Sequence, residues 1–506
     1  MTNKETRMES GLKMLMVYPD FIEESKHNRN IPGNYSEGIA SISAVLKEAG
    51  YRVALCHQTW MPTRDEFLAR VRSEEPDILG FSLRTTAMPY VEEMAGWLAE
   101  AMPALPVICG GYHPTLVPDE VLAVRGIDVV CIGEGEYPLR DGTNRTDIES
   151  LYFKLPDGSI VKNPVRPMVE DLDELPFPDL DIFDYAKLRT GLINTAMVMV
   201  SRGCLFSCTY CGNSQFRNVY PNRKKYARFR SPGNAIRVIE RILERQPNTK
   251  YLEFRDAIFN MYADWFYEFM PLYTEKIHLP FNCNLRFDLM DERMVKTLGE
   301  GGCYMIDIGL ESGDPHMRTK YLHRSMDNEH MLDVTRWLRR YKITTCTYNI
   351  VGLPHETLAL ALSTVKLNAR MDVDRVIANI FYPYPMTNLH RIAAEGGFLD
   401  ATVDPNDKVQ LRQPGFSRDE VLYISYRFHR LMLKYRKYFA LPPEKAEKKI
   451  AALDRRILSP LYPHALIWRL AVIKDAGLRL MKRTAARVLP GVYLMLRNRR
   501  IRALTE

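Results

Sequence analysis

From Lys13 to Glu136 the chain alternates short apolar runs with amphipathic stretches. The runs are Met14–Tyr18, Arg52–Cys56, Ile78–Leu83, Pro106–Cys109 and Val129–Ile132, each of strand length. Between the first two lies Glu37–Ala49, where Ile39, Ile42, Val45 and Leu46 recur at helical spacing. Strands separated by helices predict a doubly wound, Rossmann-like parallel sheet of five strands. Ligands of such sheets bind beyond the C-terminal strand ends. The fourth run ends there in Gly110-Gly111-Tyr112-His113-Pro114 and the fifth in Gly133-Glu134-Gly135-Glu136. Paired glycines at a strand end make a tight turn or let the backbone approach a large ligand.

Tyr137 to Asn194 has the pattern of a connector, with a turn signal at Leu155-Pro156-Asp157-Gly158-Ser159 and a Pro-rich acidic stretch, Glu170 to Pro178. The alternation resumes at Thr195. Strands are expected at Met197–Ser201, Tyr251–Arg255, Phe281–Arg286, Met305–Leu310, Thr344–Val351 and Arg375–Tyr382. Helices are expected at Pro232–Arg245, Asp291–Leu298, Asp327–Tyr341 and Leu358–Met371. Six β/α units are too few to close an eightfold barrel, so a partial (β/α)6 barrel follows, with its chemistry at the C-terminal strand ends. The tail is helical: Ser417-x-x-Glu420 forms a capping box that Phe416 and Val421 can staple. Leu466, Leu470, Ile473, Gly477, Leu480 and Val488 share one helical face, and Arg479, Lys482, Arg483 and Arg487 the other. The expected modules are 1–136, a linker 137–194, a barrel 195–395 and a basic helical region 396–506.

Composition narrows the class. With 506 residues, 46% hydrophobic and 26% charged, and average Gly and Pro usage, the chain is globular rather than disordered or collagen-like. No apolar run reaches the roughly 18–20 residues of a membrane span. Met1 to Lys13 is polar and of mixed charge, unlike a secretory signal. Nine cysteines are too sparse for a disulfide scaffold, which implies a cytoplasmic, reducing setting. The net charge of +7 is uneven: Val421 to Glu506 carries 20 Lys and Arg against 5 Asp and Glu. A basic tail on a mildly acidic body suits phosphates, as lipid headgroups or nucleic acid, or is a solvated helical surface.

The strongest chemical signal is Cys204-Leu205-Phe206-Ser207-Cys208-Thr209-Tyr210-Cys211, directly after the first barrel strand and opened by Gly203. Three thiolates on so short a loop can wrap one compact centre. A structural zinc site takes four ligands, usually as two pairs. Cys283, Cys303 and Cys346 are isolated singles that supply no second pair. Three thiolates suit a [4Fe–4S] cluster with one open iron.

Cys-x3-Cys-x2-Cys with an aromatic residue before the last Cys resembles the signature of the radical S-adenosylmethionine superfamily. That resemblance implies that Cys204, Cys208 and Cys211 ligate the cluster, whose fourth iron binds the cofactor's amino and carboxylate groups. One electron then cleaves the cofactor to methionine and a 5′-deoxyadenosyl radical. Motifs similar to the family's follow in order: Glu253-Phe254-Arg255-Asp256, Asn284-Leu285-Arg286, Gly309-Leu310-Glu311-Ser312-Gly313, Gly352-Leu353-Pro354-His355-Glu356-Thr357 and Tyr382-Pro383-Tyr384-Pro385-Met386-Thr387. They make Tyr210, Glu253, Arg286, Glu311, Ser312 and Gly352 the expected S-adenosylmethionine contacts. Arg can pair with its carboxylate, and Glu with ribose hydroxyls or the ammonium group.

The preceding domain resembles the cobalamin-binding domain of B12-dependent radical enzymes, including the anaerobic magnesium-protoporphyrin ester cyclase. The resemblance implies cobalamin contacts at Ser82, Gly110, Gly111, His113, Gly133 and Glu134, with the linker ending Leu175-Pro176-Phe177-Pro178. The Asp-x-His-x-x-Gly motif that gives cobalt a histidine in other B12 proteins is absent, since Asp314-Pro315-His316 has Thr319 in place of the glycine. The implied cobalamin is base-off.

The expected activity is methylation of an unactivated carbon, with the cofactors carrying the hard chemistry. Oxidative cyclisation or hydroxylation shares every motif quoted. Methylthio transfer would need a second cluster from Cys56, Cys109 and Cys131, two of which sit inside apolar strands. A non-enzymatic cobalamin carrier is the remaining alternative. The basic tail favours a small membrane-derived substrate such as a lipid, isoprenoid or tetrapyrrole, and a peripheral hold on the inner membrane face. An electron donor such as flavodoxin or ferredoxin is implied, and no nucleic-acid module is recognised. Tyr382, Tyr384, His355, Cys283 and Cys346 lie where they face the substrate or pack the barrel, and no catalytic base stands out.

Overall fold

The computed structural model describes residues 11–20, 32–142, 145–400, 402–403, 407–474 and 477. It divides into two compact units: Met1–Ser207 with Cys211–Pro280 and Tyr384–Thr387, and Cys208–Tyr210 with Phe281–Pro383 and Asn388–Glu506.

The first unit is built on a seven-stranded sheet. Its strands are β1 (Lys13–Pro19), β2 (Arg52–Gln58), β3 (Ile78–Ser82), β4 (Val107–Gly110), β5 (Val129–Cys131), β6 (Leu151–Lys154) and β7 (Ile160–Lys162). They lie in the order β2-β1-β3-β4-β5-β6-β7. β1 to β5 are parallel, as the alternation predicts. β6 and β7 are antiparallel additions, so the expected five strands are seven. The extra pair is the hairpin around Asp157-Gly158; its strands are short, and β7 is mostly exposed, so it lacks the apolar run that marks the others. Side chains along β1 alternate between two cores. Leu15 and Val17 pack with Phe67, Phe81 and Val91 on one face. Met14, Met16 and Tyr18 pack with Ile39 and Leu46 of the helix Glu37–Glu48 on the other. Both faces are covered, as a parallel sheet requires.

The Pro-rich connector runs in single 3-10 turns, where Asp171, Asp179 and Asp184 each accept a backbone N–H two residues on. Two parallel strands follow in this unit, β8 (Thr195–Val198) and β11 (Tyr251–Phe254), with a two-residue antiparallel pair between, β9 (Ser201–Arg202) and β10 (Arg228–Phe229). Asp256, just past β11, is fully buried and ties these pieces together. Its Oδ1 accepts Val200 N at 2.9 Å, Ser201 N at 2.6 Å and Ser201 Oγ at 2.5 Å.

The second unit carries β12 (Phe281–Leu285), β13 (Cys303–Glu311), β14 (Thr344–Val351) and β15 (Arg375–Ile380), parallel and in sequence order. The helices Glu292–Glu300, Asn328–Arg340 and Leu358–Met371 connect or flank them, each capped at its start by the side chain of Asp291, Asp327 or Thr357. With β8 and β11, these are the six β/α strands expected. The tail begins with Arg418–Phe439, whose Ser417–Glu420 capping box is present and whose Val421 and Phe416 are both buried. It packs along Leu358–Met371 and β15, so this part of the tail covers a core. Residues 464–474 are also helical, and Trp468 Nε1 donates to Asp419 Oδ1 at 2.9 Å. Leu480, Val488, Arg479, Lys482, Arg483 and Arg487 lie outside the described residues. Among the described residues, no helix is long and apolar enough to cross a membrane.

Candidate functional site

A cavity of about 510 Å³ opens in the first unit beside the C-terminal ends of β3, β4 and β5, with Met14 and Met16 of β1 in its wall. The strand order reverses between β1 and β3, the switch point where such sheets take ligands. Ser82, Gly110, Gly111, Gly133 and Glu134 all line it. Its apolar wall includes Met14, Met16, Ile39, Ile42, Ile108, Met199 and Phe216. Gly111 is needed within the chain itself: at φ 108° a Cβ would lie 3.0 Å from the Leu83 carbonyl oxygen.

His113 departs from expectation. It is not part of the cavity wall, because the short helix Tyr112–Leu116 starts directly after Gly111 and buries the imidazole to 3% exposure. Among the described residues, neither ring nitrogen has a hydrogen-bond partner. Burial holds its pKa below the usual histidine value, against the pull of Glu120, whose Oε1 lies 3.7 Å away.

The polar wall is an ion-pair network that the sequence pattern did not reveal. Glu134 Oε1 lies 2.7 Å from Arg228 Nη2 and 3.3 Å from Arg202 Nη1, while Val169 N donates to its Oε2 at 3.2 Å. Arg202 Nη2 continues to Glu136 Oε1 at 2.6 Å and Ser41 Oγ at 2.9 Å. Burial alone would raise the Glu134 pKa, but Arg202 and Arg228 outweigh it and keep the carboxyl below its ordinary value. Glu134 thus faces the cavity while anchoring β9 and β10. The signal available in sequence was only a Gly-Glu-Gly-Glu motif; its arginine partners are 68 and 94 residues on.

In the second unit, Cys208 Sγ is flanked by two guanidiniums: Arg286 Nη1 and Arg324 Nη1 each approach to 3.6 Å. Arg286 also makes a bidentate pair with Asp288, at 2.8 Å on both arms. Within the chain Arg286 thus holds Asp288, a carboxylate other than the cofactor's expected for it. Tyr210 OH donates to Glu311 Oε1 at 2.9 Å, joining two expected residues. Burial raises the Glu311 pKa, opposed by the charge of Arg324 and the Tyr210 hydrogen bond. Arg324 was not foreseen, since it belongs to none of the quoted motifs.

The remaining candidates serve nearer neighbours. Glu253 pairs with Arg255 at 2.9 Å. Ser312 is fully buried; its Oγ accepts Asp314 N at 3.4 Å and its carbonyl accepts Arg318 Nη1 at 2.7 Å, so it shapes the turn after β13. Gly352 N donates to Glu356 Oε2 at 2.7 Å, and Leu353 N to the same oxygen at 3.1 Å. Glu356 is buried, and burial pushes its pKa to about 8 against those two hydrogen bonds. His355 stacks on Tyr321 with ring centroids 5.0 Å apart. Cys283 and Cys346 are buried in β12 and β14, and burial pushes the Cys346 thiol up to about 12. Tyr382 and Tyr384 are half-buried, in the second and first unit respectively. Cys56, Cys109 and Cys131 do not converge: β2 and β4 are three strand spacings apart, roughly 14 Å. Burial raises all three thiols above the usual value, so a second three-thiolate site is not built there.

Two family models match the chain: the B12 binding domain over residues 35–141 and the radical SAM superfamily over residues 198–367. The chain belongs to the cobalamin-binding radical S-adenosylmethionine enzymes. An uncharacterised methyltransferase of Pyrococcus horikoshii is 27% identical over 362 residues, covering 67% of this chain and 76% of its own. The anaerobic magnesium-protoporphyrin IX monomethyl ester cyclase of Rubrivivax gelatinosus is 23% identical, covering 85% and 77%. Among solved structures, the cobalamin-dependent S-adenosylmethionine radical enzyme OxsB with aqua-cobalamin superposes with TM-score 0.64 at 16% identity, over 89% of this chain and 72% of that one. The methyltransferase TsrM of Kitasatospora setae gives 0.59 at 16%, over 76% and 74%. These last two establish the fold.

The cofactors of this radical enzyme are a [4Fe–4S] cluster, S-adenosylmethionine and cobalamin. Its own residues fit them. All three loop cysteines are reduced, with Cys204 and Cys208 buried and Cys211 half-buried. Among the described residues, no three His, Cys, Asp or Glu side chains are gathered closely enough to hold a metal ion, so the loop offers its donors by sequence proximity. The cavity of the first unit joins an apolar wall to a backbone rim at Gly110, Gly111 and Gly133, which suits a large flat ring. Among the described residues, no histidine is part of that wall.

Proposed function

We propose that this radical S-adenosylmethionine enzyme methylates an unactivated carbon of a hydrophobic, membrane-derived small molecule, with cobalamin as the methyl carrier. The observation that carries the reading is the cavity beside the C-terminal ends of β3, β4 and β5, apolar on one side and ion-paired on the other. Cys204, Cys208 and Cys211 are the proposed cluster ligands. Ser82, Gly110, Gly111, Gly133 and Glu134 are the proposed cobalamin contacts, and Tyr210, Glu253, Arg286, Glu311, Ser312 and Gly352 the proposed surroundings of S-adenosylmethionine. The module limits 1–136, 137–194, 195–395 and 396–506 belong to the same proposal. When bound, the cofactors supply a carbon-centred radical and a transferable methyl group; the chain supplies orientation and exclusion of water. A low-potential one-electron donor, flavodoxin or ferredoxin in type, completes the scheme.

Incubating the anaerobically reconstituted enzyme with methyl-labelled S-adenosylmethionine, a reductant and a lipid extract tests this directly. Label in an extracted product supports the reading; S-adenosylmethionine cleavage with no label transferred rejects methylation. That second outcome would favour oxidative cyclisation, the alternative supported by the 85% of this chain that the magnesium-protoporphyrin cyclase covers.

The membrane part of the proposal rests on the tail. Leu466, Leu470 and Ile473 follow one another at helical spacing and are 57%, 55% and 66% exposed, with Leu461 at 92%. Arg469 and Lys474 flank them within a segment rich in Lys and Arg. Such a face gains both apolar burial and roughly 1 kcal/mol per cation near anionic lipid. Phosphatidylglycerol vesicles should sediment the enzyme at low salt, and a Leu466→Ser, Leu470→Ser, Ile473→Ser variant should stay in the supernatant. Equal sedimentation of the two proteins would exclude this face as the lipid contact.

A further inference from the structure

We propose that Arg324 is a positioning residue which, with Arg286, donates N–H to the Cys208 sulfur and sets the reduction potential of the cluster that sulfur would hold. The inference rests on the cluster reading but concerns side chains already in place.

Two guanidiniums 3.6 Å from one sulfur are an unusual concentration of positive charge. Both are deeply buried, Arg286 at 3% and Arg324 at 5% exposure. A buried cation is costly unless it is paired and hydrogen-bonded, and the two are compensated differently. Arg286 has its own carboxylate, Asp288, on two arms. It reaches Cys208 as half of a neutral pair.

Among the described residues, no carboxylate is hydrogen-bonded to Arg324. Its Nη2 donates to the Gly309 carbonyl at 2.7 Å, and its Nη1 lies 3.4 Å from Tyr210 OH as well as beside the sulfur. Its guanidinium is thus held by the Gly309 carbonyl, the Tyr210 hydroxyl and the sulfur itself. The local chain is shaped for this contact. A Cβ on Gly309 would fall 2.4 Å from Glu311 Oε1 and 3.2 Å from Arg324 Nη2, so glycine leaves both side-chain ends undisturbed. Glu311 takes φ 65°, a left-handed conformation uncommon for a non-glycine residue.

N–H donors and net positive charge at a cluster sulfur stabilise the reduced state, because the added electron increases negative charge on iron and sulfur. The couple takes one electron from the external donor and no proton. Removing Arg324's charge therefore makes the cluster harder to reduce. Removing Asp288's charge leaves Arg286 uncompensated and makes it easier.

The test is a dithionite titration followed by electron paramagnetic resonance on full-length reconstituted protein without S-adenosylmethionine. It compares wild type, Arg324→Gln, Arg324→Lys and Asp288→Asn at equal iron and sulfide content. The expected result is a lower midpoint for Arg324→Gln, by at least tenfold in the one-electron equilibrium or about 59 mV. Arg324→Lys should recover part of it, and Asp288→Asn should shift upward. Unchanged midpoints in Arg324→Gln and Asp288→Asn would overturn the proposal. If Arg324→Gln fails to take up iron, Asp288→Asn decides alone: an upward shift upholds it and no shift overturns it. A wild-type protein that takes up no iron overturns the cluster reading, and with it this inference.

Discussion

Glu356 shows how far one residue's behaviour depends on its surroundings. Exposed, its carboxyl would ionise near 4.5; buried beside Gly352 and Leu353, it is pushed to about 8. A raised carboxyl pKa means the folded state prefers the neutral acid. Glu356 therefore contributes no penalty below about pH 4.5, and stability falls as pH rises towards 8 and the unfolded chain ionises first. Glu356→Gln cannot ionise and keeps a carbonyl to accept the two backbone N–H groups. Its thermal midpoint should match the wild type near pH 4.5 and exceed it increasingly up to pH 8, by a difference on the order of a few kcal/mol. Parallel thermal curves across that window would show that Glu356 is not the neutral acid inferred. The motif Gly352-Leu353-Pro354-His355-Glu356-Thr357 was visible in sequence, but its glutamate's state was not: nothing local shows that the carboxyl is sealed from water.

At the scale of elements, apolar periodicity located the longer strands and helices well and missed several short ones. Thr344–Val351, Pro232–Arg245 and Leu358–Met371 have the limits the pattern predicts. The hairpin β6–β7 joined the first sheet unannounced, because half its side chains face solvent and its turn signal alone does not name a partner. Elements are also joined by charge. Glu134 after β5 holds Arg228 of β10 and Arg202 of β9. Glu134→Ala leaves Arg228, 5% exposed, without its carboxylate, whereas Arg202 keeps Glu136. The expected cost is about 3–5 kcal/mol, seen as a lower thermal midpoint together with weaker retention of added hydroxocobalamin. A variant as stable as the wild type would mean that the β10 anchor lies elsewhere.

For the whole molecule, the cavity and the cysteine loop make separate demands. The cavity is complete within the first unit, and Cys204, Cys208 and Cys211 are not among its lining residues. A Cys204→Ala, Cys208→Ala, Cys211→Ala variant should therefore retain hydroxocobalamin after repurification while losing the cluster absorption band. Loss of both from the same variant would show that cobalamin binding depends on the assembled cluster.

The division between sequence and tertiary structure follows from distance along the chain. Short-range features were fully determined by sequence: three thiols within eight residues, the alternation that makes two α/β modules, and the missing histidine motif. Each is a spacing of a few residues, where geometry leaves little choice. Tertiary structure decided what those features meet. It joined Glu134 to Arg228 across 94 residues and brought Arg324 to Cys208 across 116. Such partners come from long-range packing of strand ends, and no local pattern encodes which side chain arrives at a given sulfur or carboxylate. The cysteine loop names the chemistry; the buried charges around it, placed only by the fold, set the conditions under which that chemistry runs.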